Sequence, residues 1–329
     1  MSFKHLSLEE RVKIESYLEL GMSQSVIAEK IGRSRSTISR EINRNSPNPD
    51  NSIANVRYFG MSANNVATIR RAEISSQTKL NSYLKATIEE HLNLHWSPEQ
   101  IAFGLRSVSV CTNTIYNWIY KGVLNFSLKD LRLHGKRYKQ HYKGKLIKHR
   151  ESKMVSLHSI EKRPESVENR REFGHWEVDT VLSSRATNSC LATFLERKTR
   201  LYYAIRIKNR DSDNFRVAMD TFTAIFPDGV KSITCDHGAE FINGDLVYSL
   251  EHRSNIRVYF AHPYSPHERG ANEYHNGLLR EYFPKKTNFN QVSAKEIMVA
   301  CEAINNRPRK SLKWKTANYK FQRELAKYY

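Results

Sequence analysis

The sequence predicts an α+β multidomain chain, with N-terminal all-α helix-turn-helix domains followed by an α/β domain on a mixed five-stranded sheet flanked by helices. Three observations predict it. Over the first 125 residues, apolar side chains recur at helical spacing, and serines stand just before them as N-caps do. From Gly174 the pattern changes to short runs of strand type. Finally, 53 Lys and Arg stand against 34 Asp and Glu, a formal charge of +19, which points to a polyanionic partner. A length of 329 residues allows two or three domains. Nucleic acid suits this charge better than a membrane surface, because no apolar run reaches the ~18 residues of a spanning helix. Cys111, Cys190, Cys235 and Cys301 lie far apart with no Cys-x-x-Cys pair, as expected of reduced thiols.

Residues 1–45 are read as a first helix-turn-helix domain. Ser7-Leu-Glu-Glu10 is a capping box for helix one, with Ile14, Tyr17 and Leu18 inward. Ser23 caps a second helix, Gly32 turns the chain, and Ser34 caps a third. Ala28, Gly32 and Ile38 hold the spacing that lets two such helices approach, turn and lock. Arg35, Ser36, Thr37 and Arg40 then face a DNA major groove. Residues 46–91 are a linker, rich in Asn, Pro and Ser, and a polar helical segment from about Ser62. Residues 92–125 form a second helix-turn-helix-like domain. Ser97 and Pro98 start one helix, and a second runs from Asn113 with Ile115, Trp118 and Ile119 inward. Its groove-facing candidates are Thr112, Asn113, Thr114, Tyr116 and Asn117. Its turn is longer than the first, so plain helical packing is an equal alternative to base reading. Residues 126–172 are a basic connector, expected to track phosphates without reading sequence.

Residues 173–329 form the expected catalytic domain, with a C-terminal helical tail. His175 to Leu182 alternates as a strand, placing Trp176 and Val178 on one side and Glu177 and Asp179 on the other. Cys190–Glu196 and Leu201–Ile207 are the next strands, joined by a hairpin at Arg197–Arg200. Ser212 caps a helix burying Phe215, Met219 and Phe222. A short strand ends at Asp236, and a fifth covers Ile256–Phe260. Three antiparallel strands, then helix, strand, helix, strand and helix, suit a ribonuclease-H-like sheet. In that arrangement an acid on the first strand meets one at the end of the fourth, and a later helix can supply a third. Asp179, Asp236 and Glu273 occupy those places. Hard carboxylate oxygens suit Mg²⁺ or Mn²⁺, and two ions suffice for in-line phosphoryl transfer without a protein nucleophile. No Gly-x-Ser-x-Gly or Gly-x-x-x-x-Gly-Lys-Ser/Thr stretch supports a serine hydrolase or a P-loop ATPase.

The last helix, running from Arg269 towards Pro284, puts Arg269, Glu273, Asn276 and Arg280 on one face. Ala271, Tyr274, Leu278 and Tyr282 are expected to be its buried face. Asn276 and Arg280 are candidates for orienting Glu273 or touching phosphate. Glu177 is read first as a strand residue with an ion-pair partner. His237 is a weaker candidate for proton transfer. Some of Lys285, Lys286, Arg307, Arg309 and Lys310 are expected to contact DNA phosphates.

Almost the whole chain resembles bacterial transposases of the insertion-sequence-thirty family, within the Asp-Asp-Glu transposase and retroviral integrase superfamily. The resemblance rests on Leu6-Ser-Leu-Glu-Glu-Arg11, Gly32-Arg-Ser-Arg-Ser-Thr-Ile-Ser-Arg-Glu41, Trp96-Ser-Pro-Glu-Gln-Ile101 and Thr114-Ile-Tyr-Asn-Trp-Ile-Tyr120. Further on it rests on Gly174-His-Trp-Glu-Val-Asp-Thr180, Asp236-His-Gly-Ala-Glu-Phe241, Arg269-Gly-Ala-Asn-Glu273, Tyr282-Phe-Pro-Lys-Lys286 and Asn305-Asn-Arg-Pro-Arg-Lys310. It implies Asp179, Asp236 and Glu273 as a metal-binding catalytic triad. It also implies double-stranded DNA partners, namely the element's terminal inverted repeats and a target, and a cytoplasmic, nucleoid-associated location. Synapsis of two ends implies a homodimer or higher homo-oligomer. Three departures stand out. There are 36 residues between Asp236 and Glu273, with the excess expected near Asn243–Arg253; Tyr274 replaces an asparagine, and Ala317 a proline. The competing expectations are a non-enzymatic DNA-binding regulator derived from a transposase, and a nuclease for RNA–DNA hybrids.

Overall fold

Residues 5–46, 58–76, 80–133, 153–185, 187–263, 265 and 268–327 are described by the computed structural model. The chain divides into two units, residues 1–81 and 82–329.

In the first unit, Ser7 starts α1 (Leu8–Glu19) through the expected capping box. Ser23 caps α2 (Gln24–Ile31), Gly32 turns with φ +69°, and Ser34 caps α3 (Arg35–Asn45). Ile14, Ile27, Ala28 and Ile38 are buried between them. A fourth helix, α4 (Gly60–Ser76), packs on α1. Within this core Arg11 donates to Glu41 at 2.7 Å, and Tyr58 donates to the same carboxylate. The helices cross most closely at Gly60, where a Cβ would lie 2.7 Å from the Arg11 carbonyl. Backbone atoms cannot yield as a side-chain tip does. Gly60→Ala is therefore expected to destabilise this unit by about 1–3 kcal/mol. Earlier hydrogen exchange in α1 and α4, with the strands of the second unit unaffected, is the measurement that checks it.

The helical stretch expected from about residue 62 to 91 is two helices, α4 and α5 (Ser82–Asn93), one in each unit. Ser75, Ser76, Asn81 and Ser82 lie between their interiors, and such residues favour caps over continuation. In the second unit, α6 (Pro98–Gly104) and α7 (Thr112–Tyr120) bury Ile101, Ile115, Trp118 and Ile119. Gln100 donates to the Pro308 carbonyl at 2.9 Å, and Phe103 stacks on Trp314. Residues 134–152 of the basic connector lie outside the described residues; its end carries α8 (Lys153–Leu157) and α9 (Glu165–Glu168).

The sheet has the order β3-β2-β1-β4-β5, from β1 (His175–Leu182), β2 (Cys190–Glu196), β3 (Tyr202–Ile207), β4 (Ser232–Cys235) and β5 (Arg257–Phe260). The first three are antiparallel, while β4 lies parallel to β1 and β5 parallel to β4. This is the mixed five-stranded, ribonuclease-H-like sheet expected. Alternation on β1 sends Trp176 and Val178 into the core with α10 (Ser212–Ile225). Asp211, one residue earlier than expected, caps α10.

The interval before β5 forms α11 (Gly244–Tyr248), which continues as a π-helical turn over Ser249–Arg253. Leu246, Val247 and Leu250 bury this segment in the core. The opposite core, with Leu191, Leu195 and Tyr202, takes α12 (Gly270–Tyr282) and α13 (Ala294–Asn305); α14 (Ala317–Leu325) returns Phe321 to Trp176.

One face departs from expectation in part: Leu278 is buried and Ala271 and Tyr282 pack against the core as expected, but Tyr274 does not. On α12 the buried residues are Asn272, His275, Leu278 and Leu279, while Tyr274 is half exposed. Periodicity favours the aromatic, but polar partners decide the outcome here. The Asn272 backbone N–H donates to Glu177, while its side-chain amide is buried with no hydrogen-bond partner among the described residues; His275 contacts Arg309 and the Ala271 carbonyl. Tyr274 instead lies beneath the Arg132 guanidinium at 4.5 Å.

Candidate active site

Parallel pairing of His175–Glu177 with Ser232–Thr234 brings the C-terminal end of β4 beside the middle of β1, and an acid stands at each place. Asp179 lies opposite Thr193 on β1, and Asp236 follows the last residue of β4. Both reach one guanidinium. Arg269, just before α12, contacts Asp236 Oδ2 at 2.9 Å and Asp179 Oδ1 at 3.4 Å, and donates to the Val178 carbonyl at 2.7 Å. Asn276, two turns along, donates to the other Asp179 oxygen at 2.8 Å and accepts from the Tyr202 hydroxyl. The Thr180 amide donates to Asp179, and the Gly238 amide to Asp236.

Burial pushes the Asp179 carboxyl above its ordinary range; Arg269 opposes the rise and Asp236 adds to it. Burial alone would lower the Arg269 pKa, but the two aspartates raise it. The site therefore concentrates negative charge and already holds one cation against it.

Glu273 lies between Arg269 and Asn276 on the same helical face, so the long interval after Asp236 does not carry α12 away from the aspartates. Its carboxylate is exposed, and it has no ion pair among the described residues. Nor do three or more His, Cys, Asp or Glu side chains there form a cluster that could hold a metal ion. Two hard, converging carboxylates with a cation between them fit a divalent ion as far as they go. Glu273 completes the set only by turning inward.

The neighbours sort differently from expectation. Glu177 is fully buried and pairs with Arg197 at 2.5 Å, as read. Asn276 orients Asp179, not Glu273. Arg280 donates to the Leu182 carbonyl, and His237 packs edge-on near Phe260. Of the five cations among which some phosphate contacts are expected, Arg307 and Arg309 turn inward. Arg307 is 2% exposed and pairs with Glu281, while Arg309 donates to the Ile304 carbonyl. Lys285 and Lys286 are exposed; Lys310 is also exposed and reaches Glu99.

On α3, Arg35, Ser36 and Arg40 are exposed, whereas Thr37 is half buried and its amide and hydroxyl are tied to Ser34. On α7, Asn113 and Asn117 are exposed, and Thr114 contacts Cys111 Sγ at 3.2 Å. The Thr112 hydroxyl is buried with no partner among the described residues, so it does not face outward. Sequence reasoning missed Arg269 as the link between the aspartates, although its position four residues before Glu273 was visible. It also missed Glu240, whose buried carboxylate accepts from Thr180 and Arg210. The only signal was an acid four residues after Asp236.

Two family models match the chain: a helix-turn-helix domain over residues 2–45 and an integrase core domain over residues 169–266. The second match ends before Glu273. The transposase InsI for insertion sequence element IS30A of Escherichia coli (strain K12) is 34% identical, covering 98% of this chain and 84% of its own. A probable transposase for insertion-like sequence element IS1161 of Streptococcus salivarius is 33% identical, covering 98% and 95%. The transposase for insertion sequence element IS4351 of Bacteroides fragilis is 32% identical, covering 97% and 96%. A helix-turn-helix domain ahead of an integrase core, with this similarity along nearly the whole length, shows that the chain belongs to the IS30 family of transposases.

Proposed function

We propose that the protein binds the terminal inverted repeats of its own element, cleaves a strand at each end and joins the freed 3′-hydroxyl to target DNA. The observation that carries this reading is the convergence of Asp179 and Asp236 on one cation position beside the helix of Glu273. Asp179, Asp236 and an inward-turned Glu273 would hold Mg²⁺ or Mn²⁺, in one or two ions. Such ions, when bound, activate the attacking oxygen and stabilise the leaving one. The chain's own part is positioning. The Thr180 and Gly238 amides and Asn276 fix the two aspartates. Arg269 keeps like charges together until a stronger cation replaces it, and it can then meet a DNA phosphate.

In this reading α3 enters the major groove at each end and α7 supports it there or on adjoining phosphates. Two ends held together require at least two copies. Arg35→Ala and Arg40→Ala are each expected to weaken end binding by about 1–3 kcal/mol. Fluorescence anisotropy at fixed salt checks this, with a scrambled duplex separating base reading from phosphate contact.

The decisive experiment gives the full chain and Mg²⁺ a DNA that carries the element ends. Nicks at the ends and joined products are expected. End binding without nicking would support the regulator reading, and preferential cutting of an RNA–DNA hybrid the nuclease reading.

A further inference from the structure

Behind the two aspartates lies an acid that their chemistry has not used. Glu240 is 1% exposed. Its Oε1 accepts from Thr180 Oγ1 at 2.8 Å and from Arg210 Nε at 2.7 Å. Its Oε2 is buried with no hydrogen-bond partner among the described residues. A buried carboxylate oxygen without a donor is costly, and native chains retain few of them. Arg210 does not explain the burial, because its side chain is 43% exposed and could pair with a surface acid.

Position supplies a reason. Glu240 follows Asp236 by four residues, and its bond to Thr180 anchors it on the face of β1 opposite Asp179, close to Asp236. Gly238 lies between them. A Cβ there would stand 2.6 Å from Glu240 Oε2 and 3.0 Å from Asp236 Oδ1. The unpartnered oxygen and the Asp236 carboxylate thus both lie against Gly238, too close for a larger residue.

We propose that Glu240 is a fourth acidic residue of the cation site, with Oε2 accepting hydrogen bonds from the hydration shell of a divalent ion held by Asp236. Mg²⁺ and Mn²⁺ retain several waters, and acceptors behind the direct ligands orient that shell. Glu240 is a positioning residue in this scheme. The assignment rests on the proposed function, because it takes Asp236 as an ion ligand.

The test is Mn²⁺ titration of the full chain without DNA, with free ion read by electron paramagnetic resonance. Glu240→Gln keeps the side chain's size and one acceptor, and replaces the other with a donor. It is expected to raise the Mn²⁺ dissociation constant by about 10- to 100-fold while leaving the circular dichroism spectrum unchanged. Gly238→Ala adds a methyl group that must displace the Glu240 and Asp236 carboxylates without removing either charge; it is expected to weaken Mn²⁺ binding too, which keeps the test decisive if Glu240→Gln misfolds. Glu240→Gln or Gly238→Ala chains that fold and bind Mn²⁺ within twofold of wild type would overturn the proposal. Asp236→Asn separates the two levels. If it loses Mn²⁺ while Glu240→Gln does not, Glu240 alone is misassigned. If wild type does not bind, or Asp236→Asn binds normally, the parent reading fails.

Discussion

Asp236→Asn is expected to leave binding to the element ends intact and to lower Mg²⁺-dependent strand cleavage by at least about 10³-fold. The asparagine oxygen can still accept from the Gly238 amide, and the side chain is 42% exposed, so folding should not suffer. What disappears is one of two charges that face a single cation position. Asp179 is then left with Arg269, whose guanidinium is already bound there. A divalent ion would have to displace that arginine for half the charge. Losing several kcal/mol of transition-state charge stabilisation corresponds to three or more powers of ten in rate. A gel assay for nicked ends, run beside an anisotropy titration on the same DNA, separates chemistry from binding. Normal cleavage by this variant would remove Asp236 from the metal-binding assignment and leave the role of the β1–β4 junction open.

The face of β1 that carries Asp179 could be placed from sequence because strand alternation is local. Trp176 and Val178 face the core, so Glu177 and Asp179 must face the other way. The helix caps at Ser7, Ser23 and Ser34 were legible for the same reason, since a cap is satisfied within three residues. The exposure of Tyr274 and the burial of His275 on α12 were not. They are set by Arg132 and Arg309, which are distant in sequence. Arg309 shows the same limit from the other side. A basic residue near the end of a DNA-binding protein looks like a phosphate contact until the fold turns it towards α12. Glu240 was hidden because nothing local distinguishes a buried acid from a solvated one. Only the crossing of Thr180, Arg210 and Gly238 around it does.

Arg197→Ala is expected to cost about 3–5 kcal/mol of stability, the range for breaking a buried ion pair. Arg197 and Glu177 are both almost fully buried, with side chains 2% and 1% exposed. Arg197 also donates to the Val167 carbonyl at 3.2 Å, which ties the segment before β1 to the sheet. Without the guanidinium, Glu177 keeps the Asn272 backbone N–H at 3.2 Å but loses its direct ion pair. That amide belongs to the first turn of α12, three residues after Arg269 and one before Glu273. The ion pair therefore supports both the sheet and the start of α12. Urea unfolding followed by circular dichroism measures the loss. The double change Glu177→Gln with Arg197→Met should cost less than Arg197→Ala, because it leaves no unpaired buried charge. Equal losses would assign the effect to packing. A loss below about 1 kcal/mol for Arg197→Ala would mean that water reaches the pair, as at exposed ion pairs, and α12 would then need another anchor.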